Sequence, residues 1–284
     1  MPGRLGAHMS IAGGVSQAFD RGERVGCQAM QIFTKNQNQW RARPLEAAEI
    51  ERFRQRQAET GIAPVVAHSA YLINLASPDD ALWEKSLAAF VDELERAEAL
   101  GLLGVVIHPG SHMGAGEEAG IARIARALDR AHAATEGFRA LTLLEVTAGQ
   151  GAHLGYTFEQ LAAIRNAVDA PARVAVCFDT AHALVAGYEY RSAATYAALW
   201  DHFDHVLGLD LLRCFHLNDS KKDLGSRVDR HDHIGQGCVG LETFRRLIND
   251  PHFDGMPMVL ETPKGEEMLE DIENLRVLRE LIEA

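Results

Sequence analysis

The feature that most constrains the fold is an alternation. Eight short apolar runs are separated by stretches whose apolar positions recur at helical spacing. The runs are Arg4–His8, Ala29–Thr34, Pro64–His68, Gly104–His108, Thr142–Val146, Val174–Asp179, Arg213–His216 and Pro257–Glu261. Most are β-branched or aromatic and are bounded by Gly, Pro, Asn or Asp, as strands are. Between them, Leu87, Phe90, Val91 and Leu94 form an i, i+3, i+4 stripe. Ile121, Ile124, Ala125 and Leu128 form another, followed by Phe244, Leu247 and Ile248, then Met268, Ile272 and Leu275. Each stripe can cover a sheet. Alternation of this kind predicts parallel βαβ units, and nearly continuous apolar strands predict a sheet covered on both faces. A closed (β/α)8 barrel and an open doubly wound sheet both satisfy the pattern. No G-x-G-x-x-G follows the first strand, which weighs against a dinucleotide-binding open sheet. The length, 284 residues, suits one TIM-barrel domain over 1–284.

Composition removes several classes. Residues Met1–Gly14 contain one arginine and no apolar core of a secretory signal. No segment approaches the ~18 apolar residues that cross a bilayer. Cys27, Cys177, Cys214 and Cys238 form no C-x-x-C pair, so buried reduced thiols in a cytoplasmic protein are expected rather than disulfides or a thiolate zinc site. A monomer is expected, since no exposed apolar repeat is evident. The formal charge is −12, from 28 Lys and Arg against 40 Asp and Glu. Taken alone, that charge opposes a polyanionic partner.

Chemistry enters at the strand ends. The third to eighth runs finish at or beside His68, His108, Glu145, Asp179, His216 and Glu261. In a (β/α)8 barrel these ends share one mouth, where active sites lie. Three carboxylates there would repel one another unless divalent cations intervened. His182 follows the sixth strand closely, and Asp229 and His231 are spaced so that both side chains of an extended segment point the same way. Mixed His/carboxylate ligation suits Zn²⁺, Mn²⁺ or Fe²⁺. Nine candidates exceed the needs of one ion and suit two or three with bridging carboxylates, an arrangement fitted to in-line attack on a phosphodiester.

All of these candidates except His68 fall within blocks that resemble the endonuclease IV family, the metal-dependent apurinic/apyrimidinic (AP) endonucleases of DNA repair. The resemblance runs along the whole chain. Its blocks include Gly6-Ala7-His8-Met9-Ser10, Phe33-Thr34-Lys35-Asn36-Gln37, Tyr71-Leu72-Ile73-Asn74-Leu75, His108-Pro109-Gly110, and Glu145 through Gly151. Phe178-Asp179-Thr180-Ala181-His182, His216 through Lys221, Asp229-Arg230-His231 and Glu261-Thr262-Pro263 continue it. It implies a (β/α)8 barrel with three zinc ions. His68, His108 and Glu145 would hold one ion, and Glu145 would bridge to a second held by Asp179, His216 and Glu261. His182, Asp229 and His231 would hold the third. The implied reaction is hydrolysis of the phosphodiester 5′ to an abasic site by metal-activated hydroxide, leaving a 3′-OH and a 5′-deoxyribose phosphate, with trimming of 3′ ends. Glu145 and Glu261 would be catalytic, the first bridging ions and the second orienting the nucleophile. The implied partner is double-stranded DNA, with no nucleotide cofactor and no membrane. Loops after strands two and three would meet it through Tyr71, Leu72 and Asn38, the last standing where a basic residue is common. Lys35, Lys221 and Arg230 would contact phosphates. His8 is expected either to support a ligand or simply to pack.

Two rival readings follow from the same residues. Glu145, Asp179, His216 and Glu261 alone could hold the single ion of a sugar isomerase or epimerase. A non-catalytic binder of damaged DNA would recognise an abasic duplex without cutting it. Surplus ligation separates the first rival, and turnover separates the second.

Overall fold

A computed structural model describes residues 3–283; Met1, Pro2 and Ala284 lie outside the described residues. The eight runs form strands β1 (Arg4–Met9), β2 (Ala29–Phe33), β3 (Val65–His68), β4 (Gly104–Ile107), β5 (Leu141–Glu145), β6 (Val174–Asp179), β7 (Leu212–His216) and β8 (Pro257–Leu260). Each pairs in parallel with its sequence neighbours, and β1 also pairs with β8 through Arg4↔Pro257 to Ala7↔Leu260. That last ladder closes the barrel and excludes the open sheet. Strand ends shift by a residue from the sequence expectation: Thr34, His108, Val146 and Glu261 lie just past their strands, and Met9, Leu141 and Leu212 join theirs. Pro64 stays outside β3, since it has no N–H to give a ladder.

Nine α-helices surround the barrel among the described residues: α1 (Gln17–Val25), α2 (Ala47–Thr60), α3 (Asp80–Leu100), α4 (Glu117–Ala134), α5 (Phe158–Asn166), α6 (Thr180–Ala186), α7 (Ala193–Val206), α8 (Leu241–Ile248) and α9 (Leu269–Glu280). Local signals delimit them. The Asp79 side chain accepts from Leu82 N at the start of α3, and Gly101 ends it in the left-handed conformation, the usual C-terminal stop. Ser192 and Thr195 cap α7 reciprocally. The apolar stripes pack inward as expected, except that Ile272 is exposed. Asp271 turns in instead, where Lys264 Nζ meets its carboxylate at 2.6 Å.

Inside the barrel, Val66, Val106, Leu143, Ala175, Cys177, Cys214 and Val259 form one buried layer. Side chains two residues apart on a strand share a face. The residues two further along are His68, His108, Glu145, Asp179, His216 and Glu261. The apolar layer is therefore the floor on which the polar cluster stands.

Candidate metal centre

Six of the nine candidate ligands come directly from this alternation. The other three need extra devices. Asp179 caps α6, with Oδ1 accepting from His182 N at 2.7 Å, and this turns His182 back over the mouth. Asp229 and His231 lie on a loop held down by a short antiparallel ribbon, Asp219↔Asp232 and Ser220↔His231. Asp219 anchors that loop by accepting from the backbone N–H of Ser220, Gly235 and Val239. A Cβ at Gly237 would stand 2.4 Å from Ser220 O, so only glycine lets the loop close this tightly.

The donors form three overlapping groups. His68 Nε2 and His108 Nε2 lie 3.2 and 3.1 Å from Glu145 Oε2. The other oxygen of Glu145 lies 3.2 Å from His216 Nδ1, which is itself 3.1 Å from Glu261 Oε2 and 3.7 Å from Asp179 Oδ2. His182 Nε2 is 3.1 Å from Asp229 Oδ2, and His231 Nε2 is 3.4 Å from Asp229 Oδ1. Asp179 Oδ2 also lies 3.8 Å from His231 Nε2, so it serves the third group as well as the second. Two donors on one tetrahedral zinc at about 2.0–2.1 Å stand roughly 3.3 Å apart. The observed spacings cluster around that edge length.

The electrostatics call for cations. Burial opposes ionisation of Glu145, but His108 and His216 beside it hold its carboxyl well below the usual range. Burial likewise opposes ionisation of Glu261, and His216 outweighs it. Burial disfavours a charged His216, yet Glu261 and Glu145 raise its pKa well above the ordinary value. His182 is raised in the same way, against burial, by Asp179, Asp229 and Glu145. Without metal, the raised pKa values of His216 and His182 favour protons there, which offset the carboxylates. Among the described residues, His182 Nε2 and His231 Nε2 are buried and find no well-directed hydrogen bond, although both face the Asp229 carboxylate. Buried polar atoms are normally paired, and two such nitrogens beside a shared carboxylate are the donor set a divalent ion satisfies. The residues fit a multinuclear metal site.

Comparison with known proteins bears on the family and the fold. A family model described as a xylose isomerase-like TIM barrel matches residues 19–281. A relative described as a probable endonuclease 4, from Chloroflexus aggregans, is 55% identical over 279 residues, covering 98% of each chain. The chain belongs to the endonuclease IV family. The crystal structure of endonuclease IV from Thermus thermophilus superposes with a TM-score of 0.86 at 41% identity, over 98% of both chains. A D-tagatose 3-epimerase-like protein gives a TM-score of 0.74 at 18% identity, covering 98% of this chain and 96% of that one, a likeness of fold alone.

The expected DNA contacts of this endonuclease IV barrel divide. Tyr71 is exposed at the rim, its ring 5.5 Å from that of His68 and 5.8 Å from that of Phe33. Leu72 is half-buried beside it. Asn38 is exposed and lines a groove of about 950 Å³ with Ser10, Arg21, Asn36 and Lys264. Lys221 and Arg230 are exposed at the ends of the ribbon. Lys35 departs from expectation. Its ammonium is buried, 2.5 Å from Asp92 Oδ2 and 3.5 Å from Glu93 Oε1. It serves an internal ion pair on α3 and is not available to a phosphate.

Several neighbours of the candidate ligands escape sequence reasoning. Gln31 on β2 is fully buried and touches both Glu261 and His216. Asn218 Nδ2 donates to Asp179 Oδ2 at 2.7 Å, and its Oδ1 accepts from Glu261 N at 2.8 Å. A lone polar residue in Ala29-Met30-Gln31-Ile32-Phe33 is the signal that could have found the first. His8 Nδ1 lies 3.8 Å from Glu261 Oε1, so it neighbours a candidate ligand as well as packing on Phe33. Cys177 and Cys214, paired across β6 and β7, come with His216 within 4.8 Å of one another. Burial pushes the Cys177 thiol well above its usual range, and it stays a neutral part of the floor. Cys238 is only half-buried, against expectation.

Proposed function

We propose that this endonuclease IV family member hydrolyses the phosphodiester 5′ to an abasic nucleotide in duplex DNA. The products are a 3′ hydroxyl and a 5′-deoxyribose phosphate, and trimming of blocked 3′ ends belongs to the same chemistry. The observation that carries the reading is the nine-donor cluster at the barrel mouth. A single-ion sugar isomerase would use Glu145, Asp179, His216 and Glu261 and leave five buried or half-buried donors without work.

His68, His108 and Glu145 would hold one zinc ion, and Glu145, Asp179, His216 and Glu261 a second. His182, Asp229 and His231, with Asp179 in reach, would hold a third; manganese and iron suit the same donors. Bound there, such ions make water nucleophilic at neutral pH and offset charge on the phosphate and leaving oxygen. Glu145 places its two oxygens toward different donor groups and so fixes their separation. Glu261, held at Oε1 by Gln31, turns Oε2 inward to orient the attacking water and hold its proton. Tyr71 and Leu72 fill the space left by the missing base, which offsets lost stacking. Lys221 and Arg230 meet phosphates, and Asn38 faces the flanking strand as a neutral residue. Elemental analysis with parallel assays tests the reading. More than one ion per chain with nicking of an abasic duplex supports it. One ion per chain with ketose–aldose interconversion and no nicking overturns it.

A further inference from the structure

We propose that Gln31 is a positioning residue that sets the binding nitrogen of His216 and the binding oxygen of Glu261 through one buried carboxamide. The proposal rests on the metal reading above and deepens it. Gln31 Nε2 donates to Glu261 Oε1 at 2.6 Å and lies 3.0 Å from His8 Nδ1, while Gln31 Oε1 lies 2.8 Å from His216 Nε2.

The neighbours fix which way the amide points. An ionised carboxylate only accepts hydrogen bonds, so the NH₂ group must face Glu261. The carbonyl then faces His216 Nε2, which must carry a proton to be bonded. That leaves His216 Nδ1 as the nitrogen turned to the centre, 3.2 Å from Glu145 Oε1 and 3.1 Å from Glu261 Oε2. The second amide hydrogen goes to His8 Nδ1. Both donors and the acceptor of the side chain are thus engaged.

Packing alone would not place an amide here. The register partner of Gln31 on β3 is Val66, an apolar floor residue. A buried amide is costly unless fully bonded, and each of its bonds ends at the metal cluster or at His8. Of the four donors in the central group, one glutamine orients two. Partners that orient ligands in this way typically change metal affinity about 10–100-fold. The two lateral groups, His68 with His108 and His182 with His231, have no bond to Gln31 and should keep their affinity.

The test uses the full chain without DNA, so it stands apart from the nuclease assay. Gln31→Met keeps volume and removes the hydrogen bonds. In chelator competition with zinc, one ion of the variant should be lost about 10–100-fold more readily than in the wild type, the others unchanged. Nitrogen NMR of the zinc-loaded wild type should show His216 protonated at Nε2, with slow exchange that the variant loses. Equal affinity for every ion in wild type and variant overturns the proposal. So does a wild-type His216 protonated at Nδ1, a result that decides the matter even if the variant does not fold. A wild type that binds zinc in this way but never cuts abasic DNA would overturn the proposed function and leave Gln31 in its role.

Discussion

Glu261 shows what single residues contribute to the site. It stands one position beyond β8, half-buried, with one oxygen held by Gln31 and the other beside His216. Glu261→Gln keeps the shape and removes the charge proposed to orient water. With zinc in excess so that the sites stay filled, nicking of an abasic duplex should fall on the order of 100-fold or more; near-normal cleavage would remove Glu261 from the mechanism. The histidines set a pH signature. In metal-free protein His216 and His182 have folded pKa values above the ordinary 6.5. Their contribution to stability is complete below that value and is lost as pH rises through the folded values. Chelated protein should therefore need less urea to unfold at about pH 9 than at about pH 6.5. Metal should reverse this trend, because binding requires deprotonated ligands. A chelated midpoint that rises over the same range would contradict the assignment. The nine ligand candidates are legible in the sequence because each interrupts, closes or closely follows an apolar run or sits in a spaced pair. Gln31 and Asn218 are not, since their role depends on what faces them across the barrel.

At the scale of elements, the eight strands are readable to within a residue or so, because period-two burial and flanking turn residues are local signals. Lys35 misleads for the opposite reason. A lysine just past β2 looks like a solvated loop charge, and its partners arrive 57 and 58 residues later on α3. Its replacement becomes a test of stability rather than of DNA binding. Lys35→Met leaves Glu93 buried without its cation and should cost about 3 kcal/mol in urea denaturation. A stable variant with weakened DNA affinity would restore the phosphate reading. The loop after β3 leaves Tyr71 exposed at the rim over His68. Tyr71→Ala should weaken binding to an abasic duplex roughly 10-fold, by loss of base stacking, and change binding to intact duplex little. Equal losses on both in gel-shift titrations would make Tyr71 a general contact instead.

For the whole molecule, neither closure nor charge is decided by the sequence pattern. The βαβ alternation fits open and closed sheets alike, and only the β1–β8 ladder, linking the two ends of the described chain, separates them. The −12 charge looks hostile to DNA. Yet Glu145, Asp179, Asp229 and Glu261 contribute four of those negatives to the mouth, and three divalent ions would halve the formal total. Local attraction for a phosphate then comes from bound cations more than from Lys and Arg, and chelated protein should hold DNA poorly. The most direct test of the account is end-labelled duplex carrying one abasic site, incubated with metal-loaded protein, with chelated protein, and with chelated protein given zinc again. The account predicts a single cut 5′ to the abasic site with a 3′ hydroxyl, lost on chelation and regained with zinc. A metal-loaded protein that binds this duplex and leaves it whole, or cuts it equally well after chelation, would contradict it.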